Sequence, residues 1–302
     1  MALRVYAGSA SVDLARRVAR HLGCPLGPLL LGRFPDGEVR VEIGESVRGD
    51  DVYIIQSTSP PVNENLMELL VMLDAFRRAA AGTLTAIIPY YGYARQEKKA
   101  TWREPISAKL VANLLTTAGA NRVVSFDLHA PAIQGFFDIG MEHLTALPVL
   151  AEYLARYRTP HTVVVAPDVG RLKMAERYAH ALDAPLAVVY KRRRVSGQPE
   201  ARAVVGDVRD AAPIVVDDII ATGGTIVACV EALLQAGARP EIRVAAVHPL
   251  LVGNAPTLLS ALPLAELVVT DTVVLPPERR PRQTTVLSVD RLLAETIRRL
   301  HE

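Results

Sequence analysis

Short apolar or β-branched runs alternate with segments of helical period from one end of the chain to the other. That alternation predicts a mostly parallel sheet with helices on both faces. Strands are expected at Leu3–Ala7, Val52–Gln56, Leu84–Pro89, Arg122–Asp127, Thr162–Pro167, Leu186–Tyr190, Pro213–Asp217, Ile242–Val247 and Leu264–Thr270. Helices are expected at Ser11–Leu22, Val62–Ala80, Glu104–Ala118, Leu147–Tyr157, Leu172–Leu182 and Thr225–Ala236. A last amphipathic helix, Asp290–His301, starts at a good N-cap, Asp290. The series restarts near Thr145-Ala146-Leu147-Pro148, and no link is rich enough in Gly or Ser to be a tether. We therefore expect an N-terminal domain over residues 1–145 and a C-terminal domain over residues 146–289, with the helix at about 290–302 packing back on the first. Both halves are α/β and of about 140 residues, which suggests duplication of one fold.

The length of 302 residues suits two domains of ordinary size, and half the residues are apolar, enough for two cores. Against 34 Lys plus Arg stand 32 Asp plus Glu, a net charge of +2. This excludes a disordered chain and a general nucleic-acid coat, which needs a strong basic excess. Cys24 and Cys229 lie far apart with no CxxC or Cys/His spacing, so neither a disulfide framework nor a zinc site is indicated. The start, Met1-Ala2-Leu3-Arg4-Val5, lacks a charged-then-apolar signal segment. Val244–Ala265 carries no Asp, Glu, Lys or Arg, but Pro249, Pro256 and Pro263 would break it as a spanning helix. A buried strand, a loop and a short helix fit it better. A soluble, cytoplasmic protein with neither membrane nor nucleic acid among its partners is expected.

Chemistry concentrates at Ile214-Val215-Val216-Asp217-Asp218-Ile219-Ile220-Ala221-Thr222-Gly223-Gly224-Thr225. An apolar strand ends in two acids, and a Thr-Gly-Gly-Thr turn opens directly into a helix. Such a turn aims backbone N–H groups, two hydroxyls and the positive end of a helix dipole at one point, which suits a phosphate monoester. Asp217 and Asp218 beside it can accept hydrogen bonds from sugar hydroxyls. Phosphate plus diol describes a pentose phosphate.

Asp217–Thr225 resembles the phosphoribosyl-diphosphate loop of type I phosphoribosyltransferase folds, and further stretches narrow the likeness. They are Arg33-Phe34-Pro35-Asp36-Gly37-Glu38, Gln56-Ser57-Thr58, Asn63–Leu70, Pro89-Tyr90-Tyr91-Gly92-Tyr93-Ala94-Arg95-Gln96, Asp127-Leu128-His129-Ala130, Gln134–Asp138, Ala166-Pro167-Asp168 and Lys191-Arg192-Arg193. In this combination the chain resembles the ribose-phosphate diphosphokinase (phosphoribosyl pyrophosphate synthetase) family along nearly its whole length. The resemblance implies two similar domains of type I phosphoribosyltransferase fold, each a mostly parallel sheet flanked by helices. It also implies transfer of the diphosphoryl group of ATP to the anomeric hydroxyl of ribose 5-phosphate, with AMP as the other product.

Each stretch has a plain reading beside the implied one. Pro35-Asp36-Gly37 alone is a turn signal; by resemblance Phe34, Asp36, Gly37 and Glu38 hold the adenine of ATP, in the family from across a subunit contact. Arg95 and Gln96, at a strand end where ligands collect in open α/β sheets, are implied to meet ATP's phosphates. His129 and Asp168 stand at corresponding strand ends of the two halves, and the resemblance makes them the magnesium-associated pair facing a shared cleft. Magnesium usually keeps waters and takes only one or two protein ligands. Lys191–Arg194 would ordinarily be a solvated basic face; before Val195-Ser196-Gly197-Gln198-Pro199 it is implied to be a closing loop, with Lys191 and Arg193 catalytic. Arg193, Asp217, Asp218, Ala221, Thr222, Gly223, Gly224 and Thr225 are implied to bind ribose 5-phosphate. The family assembles as dimers building to a hexamer, so a homo-oligomer is expected.

Three departures stand out. Ala221 replaces the Asp that usually precedes Thr-Gly-Gly-Thr, Val169-Gly170-Arg171 replaces a stretch with two glycines, and Thr101-Trp102 interrupts a run that is usually more basic. Arg171 is expected either to crowd the ribose site or to add a phosphate contact. A non-catalytic, nucleotide-binding regulatory relative is the alternative function. A phosphoribosyltransferase would leave the ATP-type segments of the first half unexplained.

Overall fold

The computed structural model describes residues 1–192 and 201–302, with the backbone alone for Lys191, Arg192, Ala201 and Arg202. The chain divides into two compact units, one of Met1–Thr145, Thr272–Val274 and Ser288–Glu302, the other of Ala146–Asp271 and Leu275–Leu287.

The first unit runs β1 (Leu3–Ala7), α1 (Val12–Leu22), β2 (Leu29–Arg33), β3 (Val39–Ile43), β4 (Asp51–Ile55), α2 (Val62–Arg78), β5 (Thr83–Ile88), α3 (Ser107–Ala118), β6 (Arg122–Phe126) and β7 (Gly140–Leu144). Its sheet is parallel throughout, in the order β1-β4-β5-β6-β7. Tyr6, Val52, Ile54, Leu84, Ala86 and Ile88 on one sheet face join Leu69, Leu73 and Phe76 of α2 and Val111 and Leu115 of α3 in one core. The alternate residues Val5, Tyr53, Ile55 and Ile87 are also fully buried, so both faces of the sheet are covered, as parallel sheets require.

Three features of this unit differ from the expected elements, one of them the edge strand β7, which was not expected. A β2–β3 hairpin stands apart as a two-stranded antiparallel sheet. Its inward side chains, Leu29, Leu31, Val41 and Ile43, pack on the same core, while Leu30, Arg40 and Glu42 point outward. Helix α3 starts at Ser107 rather than Glu104, because Pro105 disfavours a helical Glu104. Glu104 instead closes the preceding loop, accepting hydrogen bonds from the N–H groups of Ala100 (2.7 Å) and Thr101 (3.1 Å).

The second unit runs α4 (Leu147–Leu154), β8 (Thr162–Ala166), α5 (Leu172–Leu182), β9 (Leu186–Arg192), β10 (Ala201–Val205), β11 (Ala212–Ile220), α6 (Gly224–Gln235), β12 (Ile242–Pro249), α7 (Ala255–Ser260), β13 (Leu264–Thr270) and β14 (Thr284–Leu287). The strand order is β10-β9-β8-β11-β12-β13-β14, parallel except for β9 with β10. Val163, Val165, Val215, Val244, Ala246 and Leu267 bury against Ile226, Val230 and Leu233 of α6. The uncharged Val244–Ala265 stretch divides into β12, a loop and the short α7. Among the described residues no helix is long and apolar enough to cross a membrane, and both cysteines are free, Cys229 in the core.

The final helix, α8 (Asp290–His301), belongs to the first unit. It buries Leu293, Ala294 and Ile297, and Asp290 stands 3.4 Å from Arg17 Nε and 3.5 Å from His21 Nε2 of α1.

Candidate functional site

In the second unit, β11 is the longest strand, and its pairing with β8 ends at Val215 while its pairing with β12 continues to Ile220. Asp217 and Asp218 therefore stand beyond the last β8 pair, at the carboxyl end of the strand, yet they are only 6% and 4% exposed. The Asp218 N–H donates to Asp217 Oδ1 and the Ile219 N–H to Asp218 Oδ1, each at 2.9 Å. Arg171 Nη1 lies 2.9 Å from Asp218 Oδ2, and its Nε lies 3.9 Å from Asp217 Oδ1. Burial first, then the neighbouring Asp218 carboxylate, pushes the Asp217 carboxyl well above the usual carboxylate range; Arg171 opposes this only in part.

The chain then turns through Ala221 and Thr222 to Gly223, whose φ of +80° places it in the left-handed region that glycine enters without strain. Gly223 precedes α6 and accepts the Val227 N–H at 3.0 Å. Thr222, Gly224 and Thr225 are exposed, leaving the first backbone N–H groups of α6 and two hydroxyls at the surface. The turn is braced from behind, since Val252 N–H donates to the Ala221 carbonyl at 2.9 Å and Leu251 N–H to Ile220 at 3.0 Å.

Asp168 follows β8, is exposed, and caps a single 3₁₀ turn by accepting the Arg171 N–H on Oδ1 at 3.1 Å. Arg171 thus joins Asp168, through its backbone, to the Asp217–Asp218 pair, through its side chain. Lys191 sits at the end of β9, its Cα registered opposite Arg202 of β10. Arg193, and with it Arg194 and the Val195–Pro199 segment, lies outside the described residues.

In the first unit, Phe34, Asp36, Gly37 and Glu38 form the exposed turn of the β2–β3 hairpin. The Phe34 N–H donates to the Glu38 carbonyl at 2.8 Å, the Asp36 carboxylate accepts the Glu38 N–H at 3.2 Å, and Gly37 has a φ of +96°. Phe34 is 46% exposed, with the Arg40 guanidinium 5.9 Å from its ring centre. Arg95 and Gln96 follow β5 and are exposed. Behind them Gly92 donates to Thr58 Oγ1 at 2.6 Å, and the Gln96 carbonyl accepts the Ala108 N–H of α3 at 3.2 Å. A Cβ on Gly92 would lie 2.6 Å from the Thr58 carbonyl oxygen, so only glycine fits. His129 is half-buried just after β6. The chain turns there at Asp127, at a φ of +31°, whose carboxylate accepts the Thr145 hydroxyl at 2.8 Å.

The hairpin turn and the Arg95–Gln96 loop rest on separate supports, the first tied to α2 by an Arg33–Glu64 pair at 3.1 Å and the second to α3. The structure collects Asp168, Asp217 and Asp218 around Arg171. That arginine's part in the acid pair was missed by sequence reasoning; its only signal there was its place among residues that usually include two glycines.

Comparison with known proteins shows the family. The family model for the N-terminal domain of ribose phosphate pyrophosphokinase matches residues 3–119, and that for the phosphoribosyl transferase domain matches residues 148–258. The chain is 50% identical over 301 residues to a ribose-phosphate pyrophosphokinase of Caldanaerobacter subterraneus, covering 99% of this chain and 95% of that one. It is 47% identical to that of Bacillus subtilis, covering 99% and 94%. The crystal structure of phosphoribosylpyrophosphate synthetase from Mycobacterium smegmatis superposes with a TM-score of 0.94 at 44% identity, over 99% of both chains. The chain belongs to the ribose-phosphate pyrophosphokinase family.

Proposed function

We propose that the chain is an active ribose-phosphate diphosphokinase that joins the β,γ-diphosphoryl group of ATP to the anomeric oxygen of ribose 5-phosphate. The observation that carries this reading is the succession at the end of β11: two buried acids, then a Thr-Gly-Gly-Thr turn, exposed except at Gly223, at the start of α6. The turn receives the 5-phosphate on backbone N–H groups and the Thr222 and Thr225 hydroxyls. Asp217 and Asp218 meet the ribose hydroxyls. Ala221 removes a carboxylate from this loop but none of its N–H groups.

The anomeric oxygen attacks the β-phosphorus in line; the new P–O bond forms as the bond from that phosphorus to the α,β-bridging oxygen breaks, and AMP leaves. The attacking hydroxyl belongs to a hemiacetal, more acidic than an ordinary alcohol, and passes its proton to solvent, so positioning and charge carry the step. Phe34 stacks on the purine, Asp36 and Glu38 accept from its amino group, and Arg95 and Gln96 bind phosphates. Lys191 and Arg193 neutralise the negative charge that develops on the transferred group.

His129 of the first unit and Asp168 of the second are the side chains we propose for a magnesium ion held mostly by phosphate oxygens and water. Asp168 offers a single exposed carboxylate, and among the described residues no group of three or more His, Cys, Asp or Glu side chains could enclose an ion. Bound magnesium would supply charge neutralisation on the phosphates of ATP. We place the protein in the cytoplasm as a homo-oligomer of dimers building to a hexamer, in which the Phe34 hairpin completes the adenine site of a second copy.

The test is AMP formation from ATP and magnesium, with and without ribose 5-phosphate. AMP should appear only when the sugar is present, and Lys191→Ala should lower kcat by about a hundredfold or more. A protein that binds ATP but forms no AMP with enzyme in excess would instead be the regulatory relative.

A further inference from the structure

The Arg171 side chain is 16% exposed and reaches across 46 and 47 residues of sequence to Asp217 and Asp218. Its position is fixed at two points: its N–H is held by Asp168 Oδ1 at 3.1 Å, and its Nη1 by Asp218 Oδ2 at 2.9 Å. Asp218 is in turn held on its other oxygen, Oδ1, by the Ile219 N–H. Two adjacent carboxyl groups with almost no exposure repel one another, and a cation at hydrogen-bond distance from one of them is what makes their burial tolerable. Because the guanidinium touches Asp218 directly and stands a further 1.0 Å from Asp217 (3.9 against 2.9 Å), it treats the two acids unequally. A diol is met by two adjacent acids of which only Asp218 is held directly by the cation.

We infer that Arg171 is a positioning residue for the sugar substrate: its guanidinium holds the Asp218 carboxylate, and through it the adjacent Asp217, in the arrangement that a ribose diol meets. The inference rests on the assignment of the acid pair to ribose 5-phosphate. Neither crowding of the sugar nor a phosphate contact is needed to account for an arginine at this position, since its Nη1 already meets Asp218 at 2.9 Å. Through its backbone N–H the same residue also meets Asp168, the carboxylate proposed to stand near the ion.

Steady-state kinetics on the full-length protein tests this, with ribose 5-phosphate and ATP varied separately for wild type, Arg171→Met, Arg171→Lys, Asp218→Asn and the Arg171→Met/Asp218→Asn double variant. Arg171→Met should raise KM for ribose 5-phosphate about tenfold or more and leave KM for ATP within about twofold, because it strands a buried carboxylate in the sugar site only. Arg171→Lys should recover most of the loss, since the charge returns without the fork. In the double variant, Arg171→Met should add little to Asp218→Asn, the mark of two residues acting as a unit. Unchanged kinetics in Arg171→Met, additive effects in the double variant, or parallel loss of both KM values with a lowered Tm would each overturn the inference. If Arg171→Met does not fold, the KM split of Arg171→Lys and of Asp218→Asn decides in its place. Wild type that forms no sugar-dependent AMP would overturn the functional reading itself, an outcome distinct from active wild type with an indifferent Arg171.

Discussion

In the proposed sugar site, Asp217 trades stability for recognition. Burial and the adjacent Asp218 raise its proton affinity in the folded chain, so from the ordinary carboxylate range upward the native state keeps a proton that the unfolded state has released. Stability then falls as pH rises through that interval, because the native state binds more protons than the unfolded one. Asp217→Asn cannot ionise and escapes this cost. Its Tm should exceed that of wild type at pH 7, with the gain shrinking as pH falls toward about 4, where the unfolded Asp also becomes protonated. The same variant should raise KM for ribose 5-phosphate by about tenfold, the loss expected of one hydrogen bond to a charged or strongly polarised group. Thermal unfolding across pH beside kinetics at pH 7.5 checks both, and a Tm difference that does not vary with pH would refute the ionisation argument.

At the level of elements, the β2–β3 hairpin separates its anchored strands from the turn proposed to bind ATP. Leu29, Leu31, Val41 and Ile43 anchor it to the core, so the turn at its tip is free to carry Phe34, Asp36 and Glu38. Phe34→Ala should therefore leave Tm nearly unchanged, as surface substitutions do. KM for ATP should rise about three- to tenfold, the worth of one aromatic stacking contact. A fall in Tm with an unchanged KM for ATP would show Phe34 to be a packing residue instead. The turn itself was legible in Pro35-Asp36-Gly37, but its strands were not. Each is five residues long and half-buried on one side only, so Leu29-Leu30-Leu31-Gly32-Arg33 shows no clean period. Strand β7, Gly140–Leu144, has no fully buried residue, and β14 is four half-buried residues; edge strands of this kind carry little apolar signal. Fully buried strands such as β4 and β8 read plainly because every residue faces a covered side. The Arg171 contacts escaped for another reason: they join residues far apart in sequence, which no local pattern encodes.

The molecule as a whole is nearly neutral, and the charge is sorted among the strand ends. Acids end β11 and follow β8, basic residues follow β5 and close β9, and the formal excess of +2 conceals that sorting. Most of the strand-to-helix alternation was legible, and each of the two units is built on a mostly parallel sheet. The central claim is that a diphosphoryl group, rather than a single phosphoryl group, leaves ATP. A single-turnover reaction with ATP labelled at the β-phosphorus, with ribose 5-phosphate and magnesium present, addresses it directly. The account predicts that the label passes to the sugar product while unlabelled AMP is released; label retained in the nucleotide as ADP, with only the γ-phosphoryl group on the sugar, would contradict it.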